Sequence, residues 1–233
     1  MNEFSRFEML VGSSNAQKLK DCHIAVFGLG GVGSFVVEAL ARSGVGKLTL
    51  IDNDTISITN INRQLFALHS TINMKKTQVA KNRVLDINPN CTVYTIDKFY
   101  LPENAEQFFE HKYDYIVDAI DTVTSKIDLA VRCYKNDIPL ISCMGTGNKL
   151  DASLFEICDI YKTKTCPLSR VMRRELKARN IPSLKVLYSP EPVVTPQSVE
   201  KTAGQKQVPA SSSFVPPVAG MLLAGEVIRD LIK

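Results

Sequence analysis

The chain has 233 residues, of which 45% are hydrophobic and 22% charged, with a formal net charge of +4. That length suits one α/β domain with appendages, and no apolar run approaches the roughly 18 uninterrupted residues that a membrane span requires. Six cysteines (Cys22, Cys91, Cys133, Cys143, Cys158, Cys166) form no C-x-x-C pair, which disfavours both a zinc ribbon and a disulfide framework.

Residues 1–22 are expected to form a helical arm; the first ten mix charge with isolated apolar residues and lack a signal core, so a cytoplasmic protein is expected. From His23 onward, strand-length apolar runs alternate with helical patterns. Residues 23–27, 47–51, 91–96, 113–117 and 138–141 read as strands, and 33–42, 75–87, 102–111 and 124–136 carry apolar residues at three and four spacing. The alternation predicts right-handed βαβ units: a Rossmann-like, doubly wound, mostly parallel sheet whose ligands bind at the carboxyl ends of its strands. Beyond Ser142, Gly145, Gly147 and the alternating stretch 153–160 read as antiparallel strands added to the sheet. A helix follows from Pro167, with Leu168, Val171, Met172 and Leu176 on one face and Arg170, Arg173, Arg174 and Lys177 mostly on the other. Residues 189–217 hold six of the eleven prolines and read as a flexible loop, and an apolar helix over 218–233 closes the chain. The organisation is therefore one domain: arm 1–22, nucleotide-binding core 23–142, antiparallel extension with a basic helix 143–188, loop 189–217 and C-terminal helix 218–233.

Gly28-Leu29-Gly30-Gly31-Val32-Gly33 follows the first strand and opens the first helix of the core, the context that a dinucleotide fingerprint requires. Glycines let the backbone approach a phosphate at the positive helix end. Asp52, 19 residues after Gly33, is placed for ribose hydroxyls, and an acid there disfavours a 2′-phosphate. The motif alone would also serve a dehydrogenase, or be a turn needed only for packing. The residues after Asp52 shift the balance. Asp52-Asn53-Asp54 is followed by Thr59-Asn60-Ile61-Asn62-Arg63-Gln64 and then by Lys76, and a nicotinamide cofactor has no triphosphate to occupy two such cations. ATP does: Arg63 and Lys76 can neutralise its outer phosphates and the charge that develops as pyrophosphate leaves. The fourth strand ends in Asp118-Ala119-Ile120-Asp121, and Asp121 is the natural ligand for Mg²⁺, which takes one or two carboxylates plus phosphate oxygens.

GLGGVG, the DND-TNINRQ block, Lys76 and DAID together resemble the ubiquitin-activating-like (ThiF/MoeB-type) adenylating enzymes over residues 6–142. The resemblance implies ATP and Mg²⁺ bound through Gly31, Asp52, Asn60, Arg63, Gln64, Lys76 and Asp121; Gly28, Gly30, Gly33 and Asp54 join the expected nucleotide site from the motifs themselves, and Arg63, Lys76 and Asp121 are the expected catalytic residues. The resemblance also implies a homodimer in which Arg6 reaches the partner's nucleotide. The second half, with ISCMGTGNKLD, PLSRVMRRELKAR and SSSFVPPVAGMLLAGEVI, is similar to the tRNA threonylcarbamoyladenosine dehydratases. Those enzymes adenylate the threonyl carboxylate of a modified adenosine beside the anticodon, and the activated acyl group closes a ring. An activator of a ubiquitin-like sulfur carrier, working with a sulfur-transfer partner protein, is the alternative; such activators usually hold zinc through two C-x-x-C pairs, absent here. A non-catalytic nucleotide-binding or NAD-dependent module is the third reading.

Residues 162–185 contain eight Lys or Arg and one acid, a local excess of +7 that leaves the rest of the chain at −3. Arg170, Arg173, Arg174 and Lys177 are the candidate tRNA contacts, since basic side chains neutralise phosphates of an anticodon stem. The plainer reading is a solvated helix face, although such faces usually interleave Glu with Lys. Cys166, directly before Pro167, sits where a helix N-terminus would favour a thiolate; ring closure within one molecule needs no thioester, so an incidental thiol is the expected reading.

Overall fold

Short apolar strands separated by amphipathic helices fold into a parallel sheet, because a parallel neighbour is reached only through a crossover long enough to hold a helix. The computed structural model describes residues 1–195 and 209–233. Its strands are β1 (His23–Phe27), β2 (Lys47–Ile51), β3 (Thr92–Ile96), β4 (Tyr115–Asp118), β5 (Leu140–Cys143), β6 (Glu156–Asp159) and β7 (Lys185–Tyr188). They form one seven-stranded sheet in the order β3-β2-β1-β4-β5-β7-β6, parallel throughout except where β6 meets β7. The chain runs outward from β1 through β2 to β3 and then returns to the other side of β1 with β4, so strand order reverses between β1 and β4. Ligands of such sheets bind at this switch point.

The helices are α1 (Ser5–Val11), α2 (Ser13–Asp21), α3 (Gly33–Arg42), α4 (Lys76–Ile87), α5 (Val123–Lys135), α6 (Pro167–Ala178) and α7 (Val215–Leu231). Alternation along β1 divides the core. Ile24 and Val26 pack with Val36, Leu40, Val84, Leu223 and Val227 of α3, α4 and α7. Ala25 and Phe27 face the other way, onto Phe108 and onto Leu129 and Cys133 of α5. A separate cluster joins Ile127 and Ala130 of α5 to Met172 and Leu176 of α6 and to Val186 and Tyr188 of β7.

Four expectations need correction. The extension beyond β5 holds one antiparallel strand, β6, while β7 lies parallel between β5 and β6. Its KVLY sequence is short and opens on a charge, but Lys185 Nζ is satisfied by Glu226 and Asp230 of α7, which lets the strand enter the sheet. Gly145 and Gly147 lie in a loop. Over 102–111 the chain forms a tight 3₁₀ stretch, Pro102–Phe108, and no α-helix. The Asn104 side chain bonds to Leu101 N–H and Phe99 C=O, which competes with the helical ladder. The last helix starts at Val215, before the expected 218, because Pro216 and Pro217 occupy its first turn, where a missing N–H removes no bond. The expectation of a flexible loop over 189–217 falls partly on 196–208, outside the described residues. The flanks are held: Val194 N–H donates to Asn148 C=O at 2.9 Å, and Asn148 N–H to Ala210 C=O at 2.8 Å.

Candidate active site

Five loops leave the carboxyl ends of β1 to β5 and enclose a crevice of about 870 Å³. Gly28 with Gly30-Val32, Asp52-Asp54, Lys98-Tyr100, Ala119-Thr122 and Cys143-Gly147 contribute in turn, and Pro209-Ser211 and Pro216 also line it. Two glycines are fixed by close approach. Gly28 has φ +90°, and a Cβ there would lie 2.7 Å from Ala119 O; a Cβ on Gly33 would lie 1.8 Å from Gly28 O. Gly30 and Gly31 line the crevice, whereas Gly33 stands behind the turn and serves its packing.

Asp52 ties the turn to the second strand. One carboxylate oxygen accepts from Leu29 N–H at 2.7 Å and the other from Asp54 N–H at 2.9 Å. Lys76 opens α4 with its side chain 6% exposed, its Nζ 2.7 Å from Asp54 and 3.6 Å from Asp52. This ammonium is held within the crevice lining instead of waving in solvent. Arg63 Nη1 donates to Thr59 C=O and Asn62 Oδ1, each at 2.9 Å, leaving the rest of the guanidinium available. Asn60 Oδ1 accepts from Ser57 N–H at 3.1 Å, and Gln64 is buried beside Gly30. Asp121 is exposed at the rim, and no ion pair engages it among the described residues. A carboxylate free of ion pairs, with only a 3.4 Å contact from the Thr122 hydroxyl, is a hard oxygen donor of the kind Mg²⁺ would take together with phosphate and water oxygens. Thus Gly28, Gly30, Gly31, Asp52, Asp54, Asn60, Arg63, Gln64, Lys76 and Asp121 converge on one crevice. Arg6 does not: it lies on α1, exposed and outside that lining.

Sequence reasoning missed a buried network behind the Ala119-Thr122 loop, outside the crevice lining. Asp118 and Lys126 form a buried ion pair at 2.9 Å, with side chains 1% and 0% exposed, and Ser142 Oγ donates to the same carboxylate at 2.5 Å. A signal existed: Lys126 shares a helical stripe with Leu129, Ala130 and Cys133, where a lysine is out of place unless paired. Lys149, also buried, was missed; its Nζ donates to Glu191 C=O at 2.6 Å and to Ser189 C=O at 3.3 Å. Burial pushes the Cys143 thiol at the crevice wall up to about 12, which disfavours the thiolate form. Cys166 is 3% exposed and precedes α6 as its N-cap without a side-chain cap bond.

The basic residues divide. Arg170, Arg174 and Lys177 are exposed on α6. Arg173 is half-buried and its Nη1 donates to Thr163 C=O at 3.0 Å, while Arg174 and Arg179 share Glu175 at 2.7 and 2.8 Å.

Residues 4–233 match the ThiF family. The tRNA threonylcarbamoyladenosine dehydratase of Bacillus subtilis (strain 168) is 46% identical over 243 residues, covering 100% of this chain and 96% of that protein. That of Haemophilus influenzae is 40% identical, covering 93% of this chain and 88% of that protein. The crystal structure of E. coli tRNA N6-threonylcarbamoyladenosine dehydratase, TcdA, in complex with ATP superposes with a TM-score of 0.90 at 32% identity, covering 99% of this chain and 93% of that one.

Proposed function

The chain belongs to the ThiF family, and from that membership we propose that it is an ATP-dependent, carboxylate-adenylating tRNA threonylcarbamoyladenosine dehydratase. The observation that carries the reading is the convergence of Arg63, Lys76 and Asp121 on a glycine-turn crevice at the sheet's switch point. Full-length similarity to dehydratases supports this substrate over a sulfur-carrier protein.

ATP lies across the glycine turn with its ribose toward the Asp52 loop and its outer phosphates toward Arg63 and Lys76. An oxygen of the threonyl carboxylate bonds to the α-phosphorus as the bond to the β-phosphate bridge breaks, and pyrophosphate leaves. Arg63, steadied by Thr59 and Asn62, and Lys76, steadied by Asp54, stabilise the charge that accumulates on the departing group without reorganising at that moment. An atom of the same modified nucleoside then attacks the acyl carbon; the acyl-phosphate bond breaks, AMP departs, a proton passes to solvent and a ring closes with net loss of water. Asp121 would hold Mg²⁺, which would supply neutralising charge to the phosphates.

Four further parts belong to the proposal. The protein works in the cytoplasm, in keeping with its tRNA-modifying relatives. No helix among the described residues is long and apolar enough to cross a membrane. It acts as a homodimer, which would let Arg6, remote from its own crevice, complete the partner's site. Its exposed Arg170, Arg174 and Lys177 contact the tRNA stem. A sulfur-transfer protein is a candidate partner that ring closure itself does not require. Incubation with ATP and either threonylcarbamoyladenosine-bearing tRNA, the unmodified tRNA or a sulfur-carrier protein tests the reading. Pyrophosphate release stimulated only by the modified tRNA is expected; stimulation by the carrier alone would contradict it.

A further inference from the structure

The loop that carries Asp121 is short and irregular, so its carboxylate is only as well placed as the backbone beneath it. Ile120, the residue directly before Asp121, has both main-chain polar groups engaged from below. Its N–H donates to Asp118 Oδ1 at 3.1 Å, and its C=O accepts from Lys126 Nζ at 3.1 Å. Lys126 and Asp118 in turn bind each other at 2.9 Å with no access to solvent. Ser142 of β5 closes the network on Asp118 at 2.5 Å. Gly28 packs closely on the same loop, leaving no room for a Cβ against Ala119 O. The 118–121 loop is thus tied to one strand, one helix and one turn, and among the described residues Lys126 is the only cation that ion-pairs or hydrogen-bonds with it.

We propose that Lys126 is a positioning residue for metal-nucleotide binding, fixing the Ile120 carbonyl so that Asp121 faces the phosphates in one orientation. This rests on the assignment of Asp121 as the Mg²⁺ ligand. A pair whose sole purpose was cohesion could be replaced by apolar residues without functional effect, since buried ion pairs are often neutral for stability. Lys126 differs because it also bonds the backbone of the loop that presents the ligand. Partners of this kind orient metal ligands, and their loss typically costs roughly 10–100-fold in metal affinity.

The test uses Mn²⁺ as a paramagnetic probe, titrated into the full chain with a non-hydrolysable ATP analogue well below the melting temperature. Lys126→Met should weaken Mn²⁺ binding by roughly 10–100-fold while leaving metal-free binding of the analogue unchanged, and Lys126→Arg should recover most of the loss. Because an unpaired Asp118 could unfold the single variant, Asp118→Asn with Lys126→Met provides a pair without buried net charge; it should fold and still bind Mn²⁺ weakly. Wild-type Mn²⁺ affinity in the folded single or double variant overturns the inference. Asp121→Asn separates the two claims. Weakened binding there, with full affinity in the Lys126 variants, defeats the inference alone; unchanged binding in Asp121→Asn defeats the metal assignment and the inference with it.

Discussion

The two sides of the crevice express function in different ways. On the β1-β2 side, cations and acids are held close: Lys76 lies 2.7 Å from Asp54, and Asp52 bonds to Leu29 N–H at 2.7 Å. On the α6 side, charge is plentiful, but part of it is engaged internally. Arg173 is bound to Thr163, Arg174 and Arg179 to Glu175, and Lys185 to Glu226 and Asp230. A preorganised site depends on individual residues, because each oriented charge acts where water is excluded. A charged surface depends on how many charges remain free, because each phosphate contact adds a similar, salt-sensitive increment. Substitutions on the first side should therefore be severe and local, and those on the second graded and dependent on ionic strength.

The sharpest break of this contrast is Arg63→Ala, which should lower the rate of pyrophosphate release by on the order of 10² or more while leaving the melting temperature near wild type. Normal turnover would remove Arg63 from the chemistry. Replacing Arg170, Arg174 and Lys177 together by Gln should flatten the plot of log tRNA affinity against log salt by about two units. An unchanged slope would return α6 to the plain reading of a solvated face. Arg173→Gln should leave that slope almost unaltered and instead destabilise the protein by about 1 kcal/mol, the net worth of a hydrogen bond at its anchor to Thr163; a loss of tRNA affinity matching the triple variant would reverse this division. The smallest effect lies far from either side. Burial and the neighbouring His111 lower the His23 imidazole from its ordinary 6.5 to about 4. The unfolded chain therefore binds the extra proton between those values, and stability is complete above pH 6.5 and declines as pH falls toward 4. His23→Gln should lessen that decline in melting temperature, and an identical profile would contradict the assignment.

Most of the β1-to-β5 half could be read from the chain because each step there obeys a local rule. Apolar runs mark the strands, glycines mark the turn, and acids or cations stand just beyond strand ends. The other half resisted for physical reasons. β7 is four residues long and begins with Lys185, whose neutralisation by α7 comes from residues more than forty positions away. The start of α7 was hidden by Pro216 and Pro217, which signal a loop by composition and a helix first turn by position. Counting charge over 162–185 yields only a total, and intramolecular partners decide which of those charges are free. Lys126 shows the same limit inside the core: the sequence displays a lysine on an apolar stripe, and only the fold brings Asp118 and the Ile120 carbonyl to it.

Carboxylate adenylation is tested most directly by following an oxygen atom. With tRNA whose threonylcarbamoyladenosine carboxylate carries a heavy oxygen isotope, one labelled oxygen should appear in the phosphate of the AMP released as the cyclic nucleoside forms. Cyclisation with unlabelled AMP, or label recovered in inorganic phosphate beside ADP, would contradict the account.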